Sequence, residues 1–331
     1  MSFQKNQPRP SSAKHIADRL AAQSAGGLLF TLTAGGLPPE TFVVAAFSLN
    51  EAFSTPFNLA VSLASADPAI DFAAVLDTRA TLTILRAGKI ERTVTGMVAS
   101  FVQGNTGKHQ TRYEMTVRPD MWRTTLRQNS RIFQQQDIKT ILTTLLKESG
   151  VRDVVFRLRY PHPEREFCVQ YRETDFDFPG RFKDEQHGAD FTRYRLEALR
   201  NNALTGYGES NDAAMQPGVL FTLTDHPRDD LNQLWQLVSV AHSGRQPQAL
   251  AQSTGESGTV MSNHFTFIPT HQHWRPMPTL KPVINGSQIA KVVGPAGEEI
   301  FCDKYGRIRL QFLWDRYGQS DDHSSCWIRV T

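Results

Sequence analysis

Six short stretches between residues 28 and 116 alternate apolar with polar or small side chains, and this alternation constrains the fold more than any other feature of the sequence. A period of two is expected of strands with one buried face. In one stretch the apolar positions are Phe57, Leu59, Val61 and Leu63. Turn residues separate the stretches at intervals of about ten residues, which predicts a β sandwich or barrel over residues 28–120. A flexible tail, residues 1–27, is expected before it.

Two helices are predicted within the next region, residues 121–268. The first covers residues 135–150, where Asp137 is placed to cap the start and Gly150 to supply a left-handed residue after the end. Its apolar stripe consists of Ile138, Ile141, Leu142, Leu145 and Leu146. The second covers residues 184–204 and is stopped by Gly206 and Gly208. Its expected apolar face is Phe191, Tyr194, Ala198 and Leu199.

A proline-rich linker, residues 269–281, is expected to separate these regions from a last domain, residues 282–331, because proline cannot donate to a β ladder. That domain is predicted to contain a hairpin with its turn at residues 303–306. On its second arm one face holds Ile308, Leu310, Phe312 and Trp314, and the other holds Arg307, Arg309 and Gln311. The pattern indicates a small barrel or sheet with one wet face. The fold class is therefore mainly β with inserted helices.

Charge argues against nucleic-acid binding. The chain has 36 basic and 33 acidic residues, a formal net charge of +3, and its basic residues are spread along the sequence. A nucleic-acid interface would need a concentrated basic stripe. No dinucleotide or phosphate-loop glycine pattern lies between a strand and a helix, so no cofactor is expected.

The N-terminal stretch lacks the apolar core of a signal peptide, since Asp18, Arg19 and Gln23 interrupt it. No later segment reaches the length of a membrane span. The chain is therefore expected to begin in the cytoplasm and to leave the cell, if at all, without a cleaved signal. Three scattered cysteines, too few for a disulfide framework, are expected to be reduced: Cys168, Cys302 and Cys326.

Three groups of residues are candidate sites. A metal site would draw on His264, His271 and His273, with His323 and Cys326 as outside ligands, but a structural zinc needs four ligands and no paired cysteines accompany them. Acid/base chemistry would draw on the alternating carboxylates Glu173, Asp175 and Asp177, which a salt-bridged or solvated face explains better. A hydrolase triad would draw on Asp321, Asp322, His323, Ser324 and Ser325, which lack a nucleophile elbow and indicate a polar turn.

No catalytic, cofactor-binding or metal residue is therefore predicted. The remaining charged group consists of Arg307, Arg309 and Arg316. These arginines are expected to keep an outer strand face soluble, to bind an acidic partner, or to meet carboxylates of a neighbouring subunit.

A family resemblance adds to this reading. Residues 292–330 (VVGPAGEEIFCDKYGRIRLQFLWDRYGQSDDHSSCWIRV) closely resemble the OB-fold start of VgrG, the spike protein of bacterial type VI secretion. The hub region of the same family is resembled by FSLNEAFSTPFNLAVSL (47–63), NSRIFQQQDIKTIL (129–142), VQYRETDFDF (169–178) and PGRFKDEQHGADFTRYRLEAL (179–199). The resemblance covers most of the chain from Phe47 onward.

The resemblance implies a structural protein: a homotrimer whose barrel-like hub domains resemble those of a contractile phage tail and lead into an OB-fold and a β needle. It implies hexameric tube rings, tip-capping proteins and effectors as partners, contact with a target membrane only during injection, and secretion on firing. Two other functions stay open at this point. One is a phage-type spike hydrolase that cuts cell-wall glycan, and the other is an adaptor that carries a toxin.

One departure from the family lies inside the chain. After Asp177 and Phe178, family members continue through a stretch on the order of 100 residues, the size of a small domain. Here Phe178 is followed directly by Pro179 and Gly180. Either the printed sequence leaves out a segment that the protein contains, or the chain carries a true deletion. A deletion would expose strand edges, which favours the first explanation.

Overall fold

The computed structural model describes residues 27–158, 161–181, 188–250, 258–277, 282–298 and 300–330. All but the last residue of the predicted tail, 1–27, lies outside them. The chain divides into two compact units. Unit 1 comprises residues 1–119 and 199–276, and unit 2 comprises residues 120–198 and 277–331. No described helix is both long and apolar enough to cross a membrane.

Unit 1 is built on one antiparallel sheet. Its strands in chain order are β1 (Leu28–Ala34), β2 (Val43–Ala52), β3 (Thr55–Ser65), β4 (Arg79–Arg86), β5 (Lys89–Thr106), β6 (Thr111–Arg118), β9 (Gly206–Ser210), β10 (Leu220–Thr222), β11 (Leu234–Arg245) and β12 (Val260–Pro269). Their spatial order is β1-β4-β5-β6-β3-β2-β11-β12-β9, with β10 also paired to β11. The six strands predicted before residue 120 are confirmed as β1–β6.

The core of unit 1 lies on one face of this sheet, as the alternation predicts. On β3, Leu59, Val61 and Leu63 are almost fully buried, and the partly buried Phe57 packs against the same cluster. The cluster also takes residues from β1, β2, β4, β5, β6 and β12, among them Phe30, Leu32, Phe47, Leu82, Tyr113 and Met261. Each strand therefore contributes every second side chain to a shared apolar layer.

Strands after residue 198 join the same sheet, which differs from the expected grouping of residues 121–268 into one region. β11 pairs with β2, for example Ala241 opposite Asn50, and with β12 on its other side. Register between strands about 190 residues apart in sequence is decided by long-range pairing, which local patterns do not encode.

The described residues of unit 2 form two sheets and two α-helices. A two-stranded sheet is formed by β7 (Gln128–Gln136) and β8 (Arg165–Thr174), neither of which the alternation pattern predicted. The helices are α1 (Ile138–Glu148) and α2 (Gly188–Leu199). The second sheet runs β13-β14-β15, with β13 (Ala290–Val293), β14 (Arg307–Phe312) and β15 (Ile328–Arg329).

The first predicted helix is confirmed in detail. The Asp137 side chain accepts a hydrogen bond from the Thr140 amide at 2.7 Å, and Gly150 has φ +75° after the helix ends. Ile141 and Leu145 are buried and pack with Phe133 and Phe178.

The second predicted helix exists as α2 but is shorter than expected. Ala198 is buried as predicted, whereas Leu199 is 66% exposed, so its assignment to the apolar face is wrong. The described part of the helix ends at Leu199, and Gly206 and Gly208 lie in β9.

The hairpin predicted at residues 303–306 is confirmed only in part. The turn forms, with Gly306 at φ +69° and its amide bonded to the Asp303 carbonyl. Residues 300–302 are not a strand, however, and β14 pairs instead with β13 and β15. All six residues of β14 are half-buried, so the predicted contrast between a wet face and an apolar face is wrong.

Candidate functional site

Three charged or ionisable side chains from separate strands of unit 1 meet in a polar cluster. Arg92 of β5 donates from Nη2 to both carboxylate oxygens of Glu51 on β2, at 2.7 and 2.6 Å. Its Nη1 lies 2.8 Å from Nε2 of His242 on β11 and donates to the carbonyls of Ala213 and Met215, at 3.2 and 3.0 Å. Arg92 and Glu51 are largely buried and His242 is fully buried. A buried charge is tolerable when it is paired and hydrogen-bonded, as Arg92 is through both of its Nη atoms.

Burial, together with the neighbouring Arg92 charge, lowers the pKa of His242 to about 4. The imidazole is therefore neutral at physiological pH. Its Nε2 lies 2.8 Å from Arg92 Nη1 and 2.8 Å from the Met215 carbonyl oxygen.

This cluster fastens the loop between β9 and β10. Ala213 in that loop is fully buried and belongs to the main core. Besides the two bonds from Arg92, Arg86 of β4 donates to the Asn211 carbonyl at 3.1 Å. The loop thus seals one side of the curled sheet through arginines from the β4 and β5 strands.

Unit 2 holds a second buried network. Arg131 of β7 is 3% exposed and donates to Glu148 at 2.9 Å and to Gln170 at 3.0 Å. Arg127 donates to Asp175 at 2.6 Å. Burial opposes ionisation of Glu148, yet hydrogen bonds from Arg131 and Arg127 hold its pKa below the usual value. These bonds join the end of α1 to the β7–β8 sheet.

The three alternating carboxylates do not form one solvated face. Asp175 is buried and salt-bridged to Arg127, and Glu173 is 6% exposed. Asp177 accepts from the Thr174 hydroxyl at 2.7 Å. Since β8 ends at Thr174, Asp175 and Asp177 lie beyond the strand, so the solvated alternative is wrong and the salt-bridged one holds for Asp175.

The histidines weighed as metal ligands are dispersed. His264 lies on β12 and is exposed beside Glu209 at 3.2 Å. His271 and His273 follow the end of β12 and lie in no strand, so the argument from a shared strand face fails. In the part of the chain that the structure describes, no three His, Cys, Asp or Glu side chains are grouped as a metal site.

The predicted polar turn before the last strand is confirmed. The Ser324 hydroxyl donates to Asp321 at 3.1 Å, and the His323 amide donates to the same carboxylate at 3.0 Å. The Ser325 hydroxyl instead donates to the Cys326 carbonyl and accepts from the Leu310 amide. Both serine hydroxyls therefore bond to groups within the turn or the neighbouring strand. Neither is hydrogen-bonded to the His323 ring as a triad nucleophile would be.

The arginines of the last domain have internal partners. Arg307 pairs with Asp303 at 2.6 Å. Arg309 donates to the Ser325 carbonyl at 2.7 Å and lies 4.6 Å above the Trp327 ring. The exposed Arg316 donates its amide to the Ser130 carbonyl. Partner binding by these side chains stays a prediction.

The thiols of Cys168, Cys302 and Cys326 are free. Burial raises the pKa of Cys168 and of Cys326. A raised pKa lowers the thiolate fraction that nucleophilic chemistry needs. Cys302 is exposed, and all three cysteines are unpaired as predicted.

The outer face of the unit 1 sheet carries a shallow hollow of about 700 Å³. One cross-strand row runs through it, in which Glu209 lies opposite His264, then Ala241, Asn50 and Asn58 on successive strands. Small side chains floor the hollow, and Tyr207 and Glu209 stand at its β9 end. The row is created by register, and no single stretch of sequence contains it.

The sequence matches the phage tail baseplate hub (GPD) family over residues 50–181 and 176–248. The chain belongs to this family.

Named relatives point to the same class. The chain is 33% identical to the actin cross-linking toxin VgrG1 of Vibrio cholerae, over 92% of this chain and 38% of that protein. It is also 33% identical to the type VI secretion system spike protein VgrG3 of Vibrio cholerae, over 92% of this chain and 41% of that protein. The chain thus spans about two fifths of the length of these curated relatives.

A solved structure shares the fold. The c3393 protein of E. coli, a component of the type VI secretion system with structural similarity to the T4 bacteriophage tail proteins gp27 and gp5, superposes with a TM-score of 0.73. The match has 23% identity and covers 90% of this chain and 92% of that one. The mainly β hub fold expected from the sequence is confirmed.

The alignments also bear on the junction after Phe178. The VgrG1 alignment has 416 positions, whereas 92% of 331 residues is about 305, so about 110 positions face no residue of this chain. The two family matches meet at residues 176–181, where the expected extra stretch would lie. In the structure Phe178 is buried and stacks on Phe133, with ring centroids 5.8 Å apart.

Proposed function

We propose that the chain is the hub and first part of the spike of a type VI secretion machine, acting as a homotrimer at the tip of the injected tube. The observation that carries the proposal is 33% identity over 92% of the chain to a type VI secretion spike protein. The hub fold shared with c3393 supports it. The role is mechanical: rigid sheets and closed symmetry transmit the thrust.

The buried networks support this role physically. Arg92, Glu51 and His242 fix three strands of unit 1, and Arg131 and Glu148 fix a helix to a sheet in unit 2. Such networks impose specific geometry more than they add stability. We assign no catalytic step to the described residues.

Partners follow from the proposal. The chain would bind the terminal hexameric ring of the tube on one side, and tip-capping or effector proteins on the other. It would occupy the cytoplasm before firing and the medium or a target cell afterwards, and it would meet the target membrane only during injection.

The decisive experiment measures the oligomeric state of the protein and the requirements of its export. Sedimentation of the purified full-length protein at micromolar concentration should give a trimer, and secretion from cells should require an intact contractile sheath. A monodisperse monomer, or export that continues without the sheath, would refute the proposal. Lysis of purified peptidoglycan in a zymogram would support the hydrolase alternative instead.

The junction needs its own measurement. We infer that the assembled hub contains a segment of about 110 residues after Phe178, the size by which the VgrG1 alignment exceeds the residues matched here. Peptide mapping that finds a segment of this size between Phe178 and Pro179 would support this inference. A mass near 37.2 kDa, with a peptide spanning Phe178 and Pro179, would establish a true deletion.

A further inference from the structure

The two edge strands of the unit 1 sheet, β1 and β9, differ in how their outward-facing backbone groups are satisfied. At one end, a side chain caps the backbone of Phe30 on the outer edge of β1: Gln246 accepts from the Phe30 amide at 2.9 Å and donates to the carbonyls of Phe30 and Val44, at 3.4 and 3.0 Å. Gln246 is fully buried. A side-chain amide thus satisfies the two backbone groups of Phe30 that another strand would otherwise use.

At the other end, β9 has no such closure. Each second residue of a strand directs its N–H and C=O away from its one neighbour, which here is β12. Among the described residues, no backbone group of residues 206–209 bonds to any element other than β12. β9 lacks lysine, proline and bulges, and of the devices by which proteins blunt exposed edges it has only its length of five residues and the charge of Glu209.

The inner side of this edge is apolar because of its glycines. A Cβ on Gly206 would overlap the ring of Phe267, and a Cβ on Gly208 would overlap the ring of Phe265. The two rings therefore lie over the glycines of β9, with Phe265 itself 9% exposed. A strand added beside β9 would place its inward side chains against these rings, which favours apolar residues there.

The outer side of the edge is acidic and aromatic. Glu209 is largely exposed, and the Tyr207 side chain two residues away is 79% exposed. The nearest ionisable neighbour of Glu209 is His264, at 3.2 Å. A basic residue on an added strand would therefore find a carboxylate, and its stem would cover the tyrosine ring.

From these observations we propose that the β9 edge is a docking site for an extended segment of a partner protein, in which apolar residues alternate with lysine or arginine. The segment would extend the sheet by main-chain hydrogen bonds, the apolar residues would pack on Phe265 and Phe267, and the cation would pair with Glu209. The site belongs to unit 1 alone and does not depend on the proposed spike function.

The probe is an eight-residue fluorescent peptide in which valine alternates with lysine and threonine, titrated into the full chain and followed by anisotropy. A matched peptide, N-methylated at alternate residues, keeps every side chain but cannot extend the ladder. We expect the first peptide to bind at micromolar to millimolar concentration and the methylated one to show no binding. Equal binding of both peptides overturns the proposal.

Two variants test the charge. Glu209→Lys should weaken the peptide about fivefold at low salt, in line with an exposed ion pair. Glu114→Lys changes an exposed carboxylate on the central strand β6 and should leave the affinity unchanged. Equal effects of the two variants would show that the peptide is attracted by the net charge of the protein alone, which would overturn the assignment to β9.

Hydrogen exchange locates the bound segment. The peptide should slow exchange of residues 206–210, and slowing at another edge instead contradicts the proposal. If residues 206–210 are already protected in the free protein, and Glu209→Lys lowers its oligomer mass, a second copy occupies the edge and the partner assignment is wrong.

Discussion

The guanidinium of Arg92 grips both carboxylate oxygens of Glu51 across two strands that are not neighbours in the sheet. The same guanidinium holds two carbonyls of the loop after β9. One side chain therefore links β5, β2 and a distant loop.

Breaking the pair should be costly. Arg92→Met or Glu51→Gln should each lower the free energy of unfolding by about 3–5 kcal/mol, because each leaves a largely buried partner uncompensated. Urea titration followed by tryptophan fluorescence measures the loss. Glu91→Gln, which breaks the exposed pair with Arg86, should cost about 1 kcal/mol or less. Equal losses at the two sites would show that burial of Arg92 is unimportant.

Stability should fall on mild acidification through His242. Its folded pKa of about 4 lies below the ordinary 6.5, so the unfolded chain takes up the proton first as the pH falls. The contribution is complete above about pH 6.5 and is lost towards pH 4, by about 2 kcal/mol between pH 7.5 and 5. Charges facing the ring are Arg92, Glu51 and Asp212.

The matched variant is His242→Gln. Its unfolding free energy should be lower than the wild-type value at pH 7.5 and should vary less between pH 7.5 and 5, by the amount lost. Parallel pH profiles for the two proteins would mean that another group titrates in this window.

Gly244 should not tolerate a side chain. A Cβ at this position on β11 would overlap the Phe47 ring and lie 2.8 Å from the Phe30 ring, in the centre of the core. Gly244→Ala should therefore destabilise unit 1 by about 1–3 kcal/mol through overpacking. Thermal denaturation of both variants measures the difference. Gly36→Ala, with no atom within 4 Å of the new Cβ, should be close to neutral.

Removing the Gln246 amide should open the β1 edge. Gln246→Leu keeps the approximate volume but leaves buried backbone groups of Phe30 and Val44 unsatisfied, each at about 1–3 kcal/mol. We expect faster hydrogen exchange at the Phe30 amide and concentration-dependent aggregation. Gln103→Leu, whose amide bonds an exposed carbonyl, is the control and should change neither.

Local patterns predicted the elements whose signals lie within a few residues. The strands β1–β6, β11 and β12 follow period-two alternation, and α1 begins at its Asp137 cap. Local patterns failed where contacts with other elements decide whether a residue is buried or which strand it pairs with. Leu199 is exposed at the end of α2. β14 pairs with β13 and β15, and not with the residues before the turn at 303–306 as expected. The strands β7 and β8 lack a clear alternation and were missed.

The candidate clusters could not be predicted from the sequence, because they too depend on contacts between distant elements. Glu51, Arg92 and His242 carry no motif, and they meet only because β2 pairs with β11 and the sheet curls until β5 faces both. The unblocked edge at β9 likewise depends on which strand is last in the spatial order.

The sequence by itself determined a β-rich chain, the capped helix α1 and membership of the hub family, because side-chain periodicity, caps and long motifs are local and survive in any context. Tertiary structure decided the order of strands, the burial of Asp175 and Arg131, and the contrast between the closed β1 edge and the open β9 edge. Those features arise from pairings between residues up to about 200 positions apart, whose register is fixed only when the whole apolar face is buried together.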